Sequence, residues 1–458
     1  MTGRLSDKTA NRLERLVYEW LAETETPGAS LVIVNEDGEA FSTGIGARDR
    51  VDNLPATPDT LYPFASVTKS VTALAVLQQV EKENLALNES IAEYIDISFD
   101  GIEEISIHDL LTHSSGLPSL GSGIVAICRT SEIGETGIPL STPTDLKQYL
   151  ADAGEERDDH SLDRFQYNNE AYNLLEYAIE SVTDRPFPAY VSEEILTPLG
   201  MDRSTFDFTA LAEDDNHATP YKPGEDGFEP AGYPVSTMFR GPGGLASTPR
   251  EMGSYLRYQL TGTTDEGEAI VSDDLLETAH AGHVEPLPAY GDAYGYGWAH
   301  RNVADRTIIG HGGSLLTAAS AIGFVPEEGV GIALATAGQP NRHPTSILEG
   351  LFAILFGEEP ADHQPSIGYH ERVDAITGEY TGYRDVVAAT VEDAGGHLTV
   401  NLASGPIDDE LILVPTDPTL AELTFEIPSP GRTIKAEFVK TPDGYDLFFD
   451  RNRLHKKR

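Results

Sequence analysis

Ser66 and Lys69 are the first residues whose types and spacing suggest chemistry. They stand three positions apart at the start of an apolar run, residues 71–80, which predicts a buried helix, so both side chains should lie on one helix face. A serine hydroxyl becomes a strong nucleophile when a nearby base takes its proton, and a buried lysine amine can be that base. The backbone N–H of a serine in a first helical turn can also bind a developing oxyanion. The alternative is a charged cap on a structural helix.

Tyr167 and Asn169 form a second candidate pair, directly before a helix that we predict to run to about residue 183. A tyrosine beside a lysine can exchange protons with a serine. An asparagine amide in the same place can donate to a substrate carbonyl and hold the lysine. Taken alone, the stretch is equally an ordinary turn before a helix.

The third candidate stretch consists of His311, Gly312, Gly313 and Ser314, with strand-like residues on both sides. Glycines let a substrate lie against a strand, and a backbone N–H just after them can complete an oxyanion hole. A glycine-rich strand end with a surface histidine is the alternative.

Two other residues have chemically reactive side chains. His113 follows a short helical pattern and is either a general base or a structural histidine at a helix end. Cys128 is the single cysteine, so no disulfide can form within the chain, and its apolar neighbours indicate packing. The Gly-, Ser- and Thr-rich stretch 119–143 predicts a long loop, a candidate lid over a site.

The elements that must position these residues follow from hydrophobic periodicity. A helix is predicted over 12–23, and strands over 29–35, 40–46, 322–326 and 331–336. Turns at 36–38 and 327–329 make these strands two hairpins. We therefore expect an α+β fold in which helices flank an antiparallel sheet.

The charge balance excludes several classes of partner. Asp and Glu number 75 against 31 Lys and Arg, which gives a net charge of −44. Nucleic-acid binding needs clustered cations, so we exclude it. No run of 18 apolar residues predicts a membrane span, and the first residues lack the apolar core of a secretory signal, so we expect a cytoplasmic protein without a membrane partner.

In order along the chain, these three stretches resemble the motifs of the serine β-lactamase-like hydrolases, in the branch of class C β-lactamases, DD-peptidases, D-aminopeptidases and esterases. The family's Ser-x-x-Lys matches Ser66 and Lys69, and its Tyr-x-Asn matches Tyr167 and Asn169. Its Lys-Thr-Gly position is occupied here by residues 311–313. The stretches 111–117 and 198–201 resemble structural landmarks of the same branch, and the resemblance covers roughly residues 10–355.

The resemblance implies a sheet flanked by helices plus an all-helical subdomain, and a two-step acyl transfer. Ser66 would attack a carbonyl while Lys69 and Tyr167 move its proton. The backbone N–H groups of Ser66 and Ser314 would hold the oxyanion, and Asn169 would orient the substrate. Neither a metal nor an organic cofactor is implied.

This sequence departs from the family where the lysine that faces a substrate carboxylate is replaced by His311 and the threonine by Gly312. A neutral histidine holds an anion less firmly than a lysine does. The replacement favours small peptides with D-residues or carboxylic esters over β-lactams as substrates.

The C-terminal part changes character. Short strand-like runs at 386–391, 397–402, 410–414, 423–427 and 434–439 predict a small antiparallel barrel, similar to the lipocalin-like appendage of some of these hydrolases. The predicted organisation is a hydrolase domain over 1–356, a linker over 357–376 and the barrel over 377–458. The basic cluster at 451–458 is predicted to be a solvated tail.

Three interpretations of the function remain. The first is a serine hydrolase acting on small peptides or esters, with true β-lactamase activity as a variant. The second is a non-catalytic ligand binder, although a binder has no need of a nucleophile beside its base. The third is an α/β-hydrolase, which would require a Gly-x-Ser-x-Gly motif that is absent from this sequence. The oligomeric state is left open.

The acidic composition predicts a halophilic protein, because salt screens the repulsion within a highly charged surface. We expect the melting temperature to rise between 0.1 M and molar potassium chloride, as thermal denaturation followed by circular dichroism would show. An unchanged or lower melting temperature in molar salt would identify an ordinary acidic protein.

Overall fold

The computed structural model describes residues 3–119, 121, 142–151, 164–224, 227–233, 238, 240–286, 291–394, 397–404, 407–417 and 420–457. Cys128 and nearly all of the predicted loop 119–143 lie outside the described residues. The chain forms two compact units, Met1–Leu351 and Phe352–Arg458.

The first unit combines a sheet with many helices. The α-helices are α1 (Asp7–Glu23), α2 (Thr68–Glu81), α3 (Ile107–Leu111), α4 (Pro143–Ala151), α5 (Asn169–Thr183), α6 (Phe187–Val191), α7 (Phe208–Glu213), α8 (Arg240–Gly243), α9 (Pro249–Thr261), α10 (Asp273–His280) and α11 (Pro344–Phe356). Single turns of 3₁₀-helix lie at Ala65–Val67, Ile91–Glu93, Ile102–Glu104 and Pro326–Glu328, and a π-helical turn at Ser192–Leu196.

The strands of this unit are β1 (Gly28–Asn35), β2 (Gly38–Asp49), β3 (Leu54–Pro55), β4 (Tyr62–Pro63), β5 (Tyr221–Gly224), β6 (Gly227–Pro230), β7 (Ala246–Ser247), β8 (Ala293–Tyr294), β9 (Ala299–Val303), β10 (Arg306–Leu315), β11 (Ala318–Val325) and β12 (Val330–Ala337). Eight of them form one antiparallel sheet in the order β3-β2-β1-β12-β11-β10-β9-β8. The remaining four form the two-stranded pairs β4–β7 and β5–β6.

The centre of the sheet is made by strands from opposite ends of the unit. β1 pairs with β2 on one side and with β12 on the other, so that Gly28 lies opposite Ala337. Every residue of β1, β11 and β12 is buried, which requires that both faces of the sheet are covered. The predicted hairpins β1–β2 and β11–β12 are both present.

Helix α2 lies at the centre of the helical part of this unit. Each of its residues from Thr68 to Gln79 is buried, so it has no solvent-facing side. It belongs to one large apolar cluster, which also includes residues of α5, α9 and the face of β1 that carries Val32 and Val34. A buried α2 is what allows a lysine in its first turn to be withdrawn from water.

The second unit is a closed barrel of eight antiparallel strands. Its strands are β13 (Gly378–Thr381), β14 (Ala388–Asp393), β15 (Leu398–Ser404), β16 (Ile407–Pro415), β17 (Thr424–Ser429), β18 (Arg432–Thr441), β19 (Gly444–Phe449) and β20 (Asn452–Lys456). Alternate side chains point inward and form an apolar core that includes Phe425, Phe438, Leu447 and Leu454. The predicted fold class, an α+β unit followed by a small antiparallel barrel, is confirmed.

Two short helices, α12 (Pro360–His363) and α13 (Tyr369–Ile376), lie in the stretch predicted as a linker. Val373 and Ile376 of α13 belong to the barrel core. The division into residues 1–356, 357–376 and 377–458 stays a prediction.

The expected solvated tail at the C-terminus was wrong, because Asn452–Lys456 is the strand β20 that closes the barrel against β13. The buried carboxylate of Asp446 accepts hydrogen bonds from Arg453 at 2.7 Å and from His455 at 2.7 Å. Lys456 donates to the carbonyl of Ala375 at 2.7 Å. The basic side chains of this strand therefore make hydrogen bonds within the barrel unit, and Leu454 between them is buried in its core.

Candidate active site

Ser66 lies in the single 3₁₀ turn that leads into α2. Ala65, just before it, has a φ of 48°, a left-handed conformation that costs a non-glycine residue about 1 kcal/mol or more. The hydroxyl of Thr68 holds this turn, since it donates to the Ala65 carbonyl at 2.6 Å and accepts the N–H of Leu245 at 3.0 Å. The strained turn fixes the position of the Ser66 hydroxyl.

The glycine stretch of β10 packs directly against this turn. A Cβ atom on Gly313 would lie 2.0 Å from the carbonyl oxygen of Phe64, so no side chain fits at that position. Ser320 of β11, paired with Gly313, donates from its hydroxyl to the same carbonyl at 2.8 Å. The second glycine of the predicted run is thus required by the approach of β10 to the Ser66 turn.

Lys69 brings the first two predicted stretches together. Its Nζ lies 3.3 Å from Ser66 Oγ, 2.7 Å from Asn169 Oδ1 and 2.8 Å from the carbonyl oxygen of Pro242. It also lies 4.7 Å from the centre of the Tyr167 ring. If the amine is neutral, its two N–H bonds can serve Asn169 and Pro242, which leaves the nitrogen lone pair to face Ser66.

The protonation state of Lys69 follows from its burial. The side chain is fully buried, and the loss of solvation holds the pKa of Lys69 well below its usual range, although the negative charge of Glu170 acts in the opposite direction. A lysine with a lowered pKa is neutral more often near pH 7 and can accept a proton from the Ser66 hydroxyl.

The carbonyl of Pro242 is positioned by a buried carboxyl group on α5. Glu176 Oε2 accepts the N–H of Gly241 at 2.8 Å, and Thr72 of α2 donates to the Gly241 carbonyl at 2.7 Å. A Cβ on Gly241 would lie 2.7 Å from the carbonyl oxygen of Tyr172, so the backbone approaches too closely here for any side chain. Burial raises the pKa of Glu176 to about 8.

The Tyr167 turn is held by the start of α5 and by His113. Asn168 caps α5, because its Oδ1 accepts the N–H of Ala171 at 3.0 Å while its amide donates to the Leu117 carbonyl at 2.9 Å. The carbonyl of His113 accepts the N–H of Gln166 at 2.8 Å. Tyr167 is therefore fixed from both neighbouring residues in the chain.

His113 itself matches the structural alternative. Its Nδ1 accepts the N–H of Asn168 at 3.2 Å, and its ring centre lies 4.5 Å from that of Tyr167. Burial, followed by the positive charge of Lys69, holds the pKa of His113 well below its usual range. His113 is therefore a neutral, buried side chain that packs against Tyr167, and this arrangement favours the structural role over that of a general base.

His311 is buried, and both of its ring nitrogens have partners. Nδ1 lies 2.6 Å from the carbonyl oxygen of Gly312, so it carries the proton, and Nε2 lies 3.1 Å from the hydroxyl of Tyr294. Burial, with a smaller effect from the charge of Lys69, lowers the pKa of His311 to about 3. Where the family has a cationic lysine, this chain therefore places a neutral ring.

A cavity of about 340 Å³ opens above the serine. Its lining residues are Ser66, Tyr167, Tyr294, Ala299, Arg301, Gly310, His311, Gly312, Gly313, Ser314, His343 and Thr345. The predicted residues of all three stretches thus meet at one place. Lys69 links them, because its amine contacts Ser66, Asn169 and the ring of Tyr167. Their catalytic roles stay a prediction.

Sequence reasoning missed several lining residues, among them the polar side chains of Tyr294, Arg301, His343 and Thr345. His343 donates from Nε2 to the carbonyl of Gly313 at 3.1 Å, while its Nδ1 accepts the N–H of Thr345 at 3.2 Å. Burial lowers the pKa of His343 to about 4, so this ring is also neutral. No local spacing signals these residues, because they come from three different elements.

No described helix combines the length and apolar character needed to cross a membrane. Within the same residues, no group of three or more His, Cys, Asp or Glu side chains is arranged to hold a metal ion.

Comparison with known proteins identifies the family. A model of the beta-lactamase family matches residues 13–350, which is most of the chain. The chain belongs to the beta-lactamase family. A second model, of the Pab87 octamerisation domain, matches residues 360–455. The resemblance inferred from the three motifs is confirmed.

Among the solved structures that resemble this family member, one is similar over nearly the whole length of the chain at a high TM-score. It is the octameric penicillin-binding protein homologue from Pyrococcus abyssi, with a TM-score of 0.86 and 30% sequence identity, covering 97% of this chain and 99% of that one. This likeness includes the barrel as well as the beta-lactamase unit.

The curated relatives that match the beta-lactamase part include protein flp and esterase EstB. Protein flp from Staphylococcus aureus (strain MW2) is 26% identical over 345 residues, which cover 72% of this chain and 63% of flp. Esterase EstB from Burkholderia gladioli is 30% identical over 254 residues, which cover 50% of this chain and 62% of EstB. The chain spans less than two thirds of the length of these two relatives.

The geometry of Lys69 predicts a base-dependent reaction of Ser66. Lys69→Met should slow modification of Ser66 by a fluorophosphonate, a reagent for activated serines, about 10²–10⁴-fold, the usual contribution of a general base. In the wild type the rate should fall as the pH drops through the lowered pKa of Lys69, because protonation removes the lone pair. Intact-mass time courses at several pH values measure both effects.

Lys82→Met is the matched control, since Lys82 lies at the other end of α2 with half of its side chain exposed. This variant should react at the wild-type rate. A Lys69→Arg variant that folds and keeps the wild-type rate would contradict the base, because arginine retains the charge but cannot accept a proton.

Proposed function

We propose that this protein is a serine hydrolase that acts through a covalent acyl-enzyme on amide or ester bonds. The observation that supports it best is the contact of a fully buried Lys69 amine with Ser66 Oγ at 3.3 Å, with Asn169 and Pro242 accepting its N–H bonds. Family membership and the similarity to an esterase are consistent with it.

In the proposed first step, Ser66 Oγ attacks the substrate carbonyl carbon as its proton passes to Lys69, directly or through the hydroxyl of Tyr167. The negative charge that develops on the carbonyl oxygen is held by the backbone N–H groups of Ser66 and Ser314. When the tetrahedral species collapses, the bond to the leaving group breaks, and the leaving group takes the proton.

The second step releases the acyl group. Water attacks the acyl-enzyme as its proton passes to Lys69, directly or through the hydroxyl of Tyr167. The bond between the acyl carbon and Ser66 Oγ then breaks, and Lys69 returns the proton to Oγ, so that a carboxylic acid is released and the Ser66 hydroxyl is restored. Asn169 both holds Lys69 and lies beside the Tyr167 turn, where its amide can orient a substrate carbonyl.

Small peptides with D-residues and carboxylic esters are the substrate classes that we favour. A cavity of about 340 Å³ admits a small acyl group rather than a folded protein. The neutral His311 removes the cation that the family uses beside its glycine strand, which argues against β-lactamase action. A non-catalytic binder in the same fold is the alternative.

The direct test is the intact mass of the protein after incubation with a fluorophosphonate in molar salt. We expect a single adduct on the wild type and none on Ser66→Ala, because only an activated serine reacts at an appreciable rate. Ser314→Ala is the matched control: it removes the hydroxyl of the second serine that lines the cavity and keeps the backbone N–H, so the adduct should persist.

Absence of an adduct on the folded wild type would contradict the hydrolase and favour the binder. If the adduct forms, rates on an aryl ester, a D-aminoacyl amide and a chromogenic cephalosporin then rank the substrate classes. Faster turnover of the cephalosporin than of the other two would contradict our substrate assignment.

We further propose that the barrel unit assembles copies of this chain. The match of residues 360–455 to an octamerisation domain and the octameric state of the similar Pyrococcus abyssi protein support this assignment. Among the described residues, the outer face of the barrel exposes several large apolar side chains, including Ile412, Val414, Val439 and Phe448.

Assembly predicts a molar mass several times that of one 49.5 kDa chain. Size-exclusion chromatography with light scattering, in molar salt and at several protein concentrations, measures it. A mass of one chain at all concentrations would contradict the proposal.

A further inference from the structure

His343 contacts the peptide group that the proposed function assigns to the oxyanion hole. The carbonyl of Gly313 and the N–H of Ser314 belong to one planar peptide unit, in which they point in opposite directions. His343 donates from Nε2 to this carbonyl at 3.1 Å. A hydrogen bond to the carbonyl therefore also restrains the direction of the Ser314 N–H.

The register of the sheet leaves this part of β10 uncovered by β9. Pairing of β9 with β10 runs from Arg306 to Gly310, whereas pairing with β11 continues to Leu315. Ser314 lines the cavity and lies beyond the last residue that β9 covers. The peptide plane is less restrained here than in the middle of a sheet, so a hydrogen bond from a side chain has more effect on it.

The orientation of the His343 ring is itself fixed. Its Nδ1 accepts the N–H of Thr345 at 3.2 Å, which leaves the proton of the neutral ring on Nε2. The carbonyl of the preceding residue, Arg342, accepts the indole N–H of Trp20 on α1 at 3.0 Å. The donor that faces Gly313 is thus held in place by the fold alone.

The absence of a side chain at Gly312 makes room for this ring. A Cβ atom on Gly312 would lie 2.8 Å from Cε1 of His343, which is closer than a Cβ contact allows. The related motif of the family has a threonine at this position. The exchange of threonine for glycine is therefore linked to the presence of the His343 ring beside the strand.

We propose that His343 is a positioning residue for the oxyanion hole: its Nε2–H holds the peptide between Gly313 and Ser314 so that the Ser314 N–H faces the developing oxyanion. This inference rests on the proposed function and adds a residue to it. Donation to a peptide carbonyl also polarises the amide, which makes its N–H a stronger donor. An oxyanion hole acts through donors that are already in position, so this restraint favours the transition states of acylation and deacylation.

The competing explanation is that His343 only fills the space beside Gly312. His343→Leu removes the donor and keeps much of the side-chain volume, whereas His343→Gln offers an amide N–H in place of Nε2–H. A packing role predicts that a variant loses activity on all substrates alike or not at all. A positioning role predicts a loss that is specific to reactions through an oxyanion and that glutamine restores.

The experiment compares the hydrolysis of 4-nitrophenyl acetate with that of its thiono analogue, in which sulfur replaces the carbonyl oxygen. Both substrates release 4-nitrophenolate, but sulfur is a weak hydrogen-bond acceptor, so the oxyanion hole accelerates the oxygen ester more. We expect His343→Leu to lower kcat/KM for the oxygen ester about 10- to 100-fold, less than the roughly 10²–10³-fold effect of losing an oxyanion-hole donor outright. The thiono ester should change little, and His343→Gln should restore most of the ratio between the two substrates.

His283→Leu is the matched control. His283 is also partly buried and also bonds through Nε2 to a backbone carbonyl, that of Thr278 at 2.8 Å, but it lies outside the cavity lining. This variant should keep the wild-type ratio of the two rates.

A wild-type ratio in His343→Leu, or an equal loss on both esters, would overturn the role of His343 and leave the hydrolase proposal intact. A folded wild type that hydrolyses neither ester and forms no fluorophosphonate adduct would instead overturn the proposed function, and the positioning role with it. The two failures are therefore distinguishable.

Discussion

The withdrawal of the Lys69 amine from water is the constraint on which the rest of the site depends. Desolvation makes the ammonium form unfavourable, and the surrounding acceptors fix where the remaining N–H bonds point. Several elements serve this arrangement: α2 is buried on every side, α5 supplies Asn169, and the carboxyl of Glu176 holds the turn that carries Pro242. Exposure of any of these elements to water would raise the pKa of the Lys69 amine. The amine would then be protonated near pH 7 and could not accept the proton of Ser66.

The sheet contributes the opposite wall. Pairing of β1 with β12 joins the two ends of the first unit, and β10 is thereby placed against the Ser66 turn, where Gly313 has no room for a Cβ atom. The neutral rings of His311, which belongs to this strand, and of His343 each bond to a backbone carbonyl of the glycine run. Among the described residues that line the cavity, the permanently charged side chain is that of Arg301, on the neighbouring strand β9.

Local patterns predicted much of the fold. The hairpins β1–β2 and β11–β12 and the helix after Tyr167 each depend on residues close in sequence, and each is present. The closing strand β20 was wrongly predicted to be a tail. Its short basic sequence gives no local signal for a strand, because its pairing with β19 and the hydrogen bond of Arg453 to Asp446 form only in the folded barrel.

The sequence by itself determined the spacing of Ser66 and Lys69 and the order of the three motifs, because helical geometry places residues three apart on one face. Only the tertiary structure decided that Lys69 is buried, that Pro242 and Asn169 are its partners, and that His311 is neutral, since solvation and long-range contacts set proton affinities. The same holds for Arg301 and His343, which reach the cavity from β9 and from the segment after β12 and share no sequence pattern with the residues beside them.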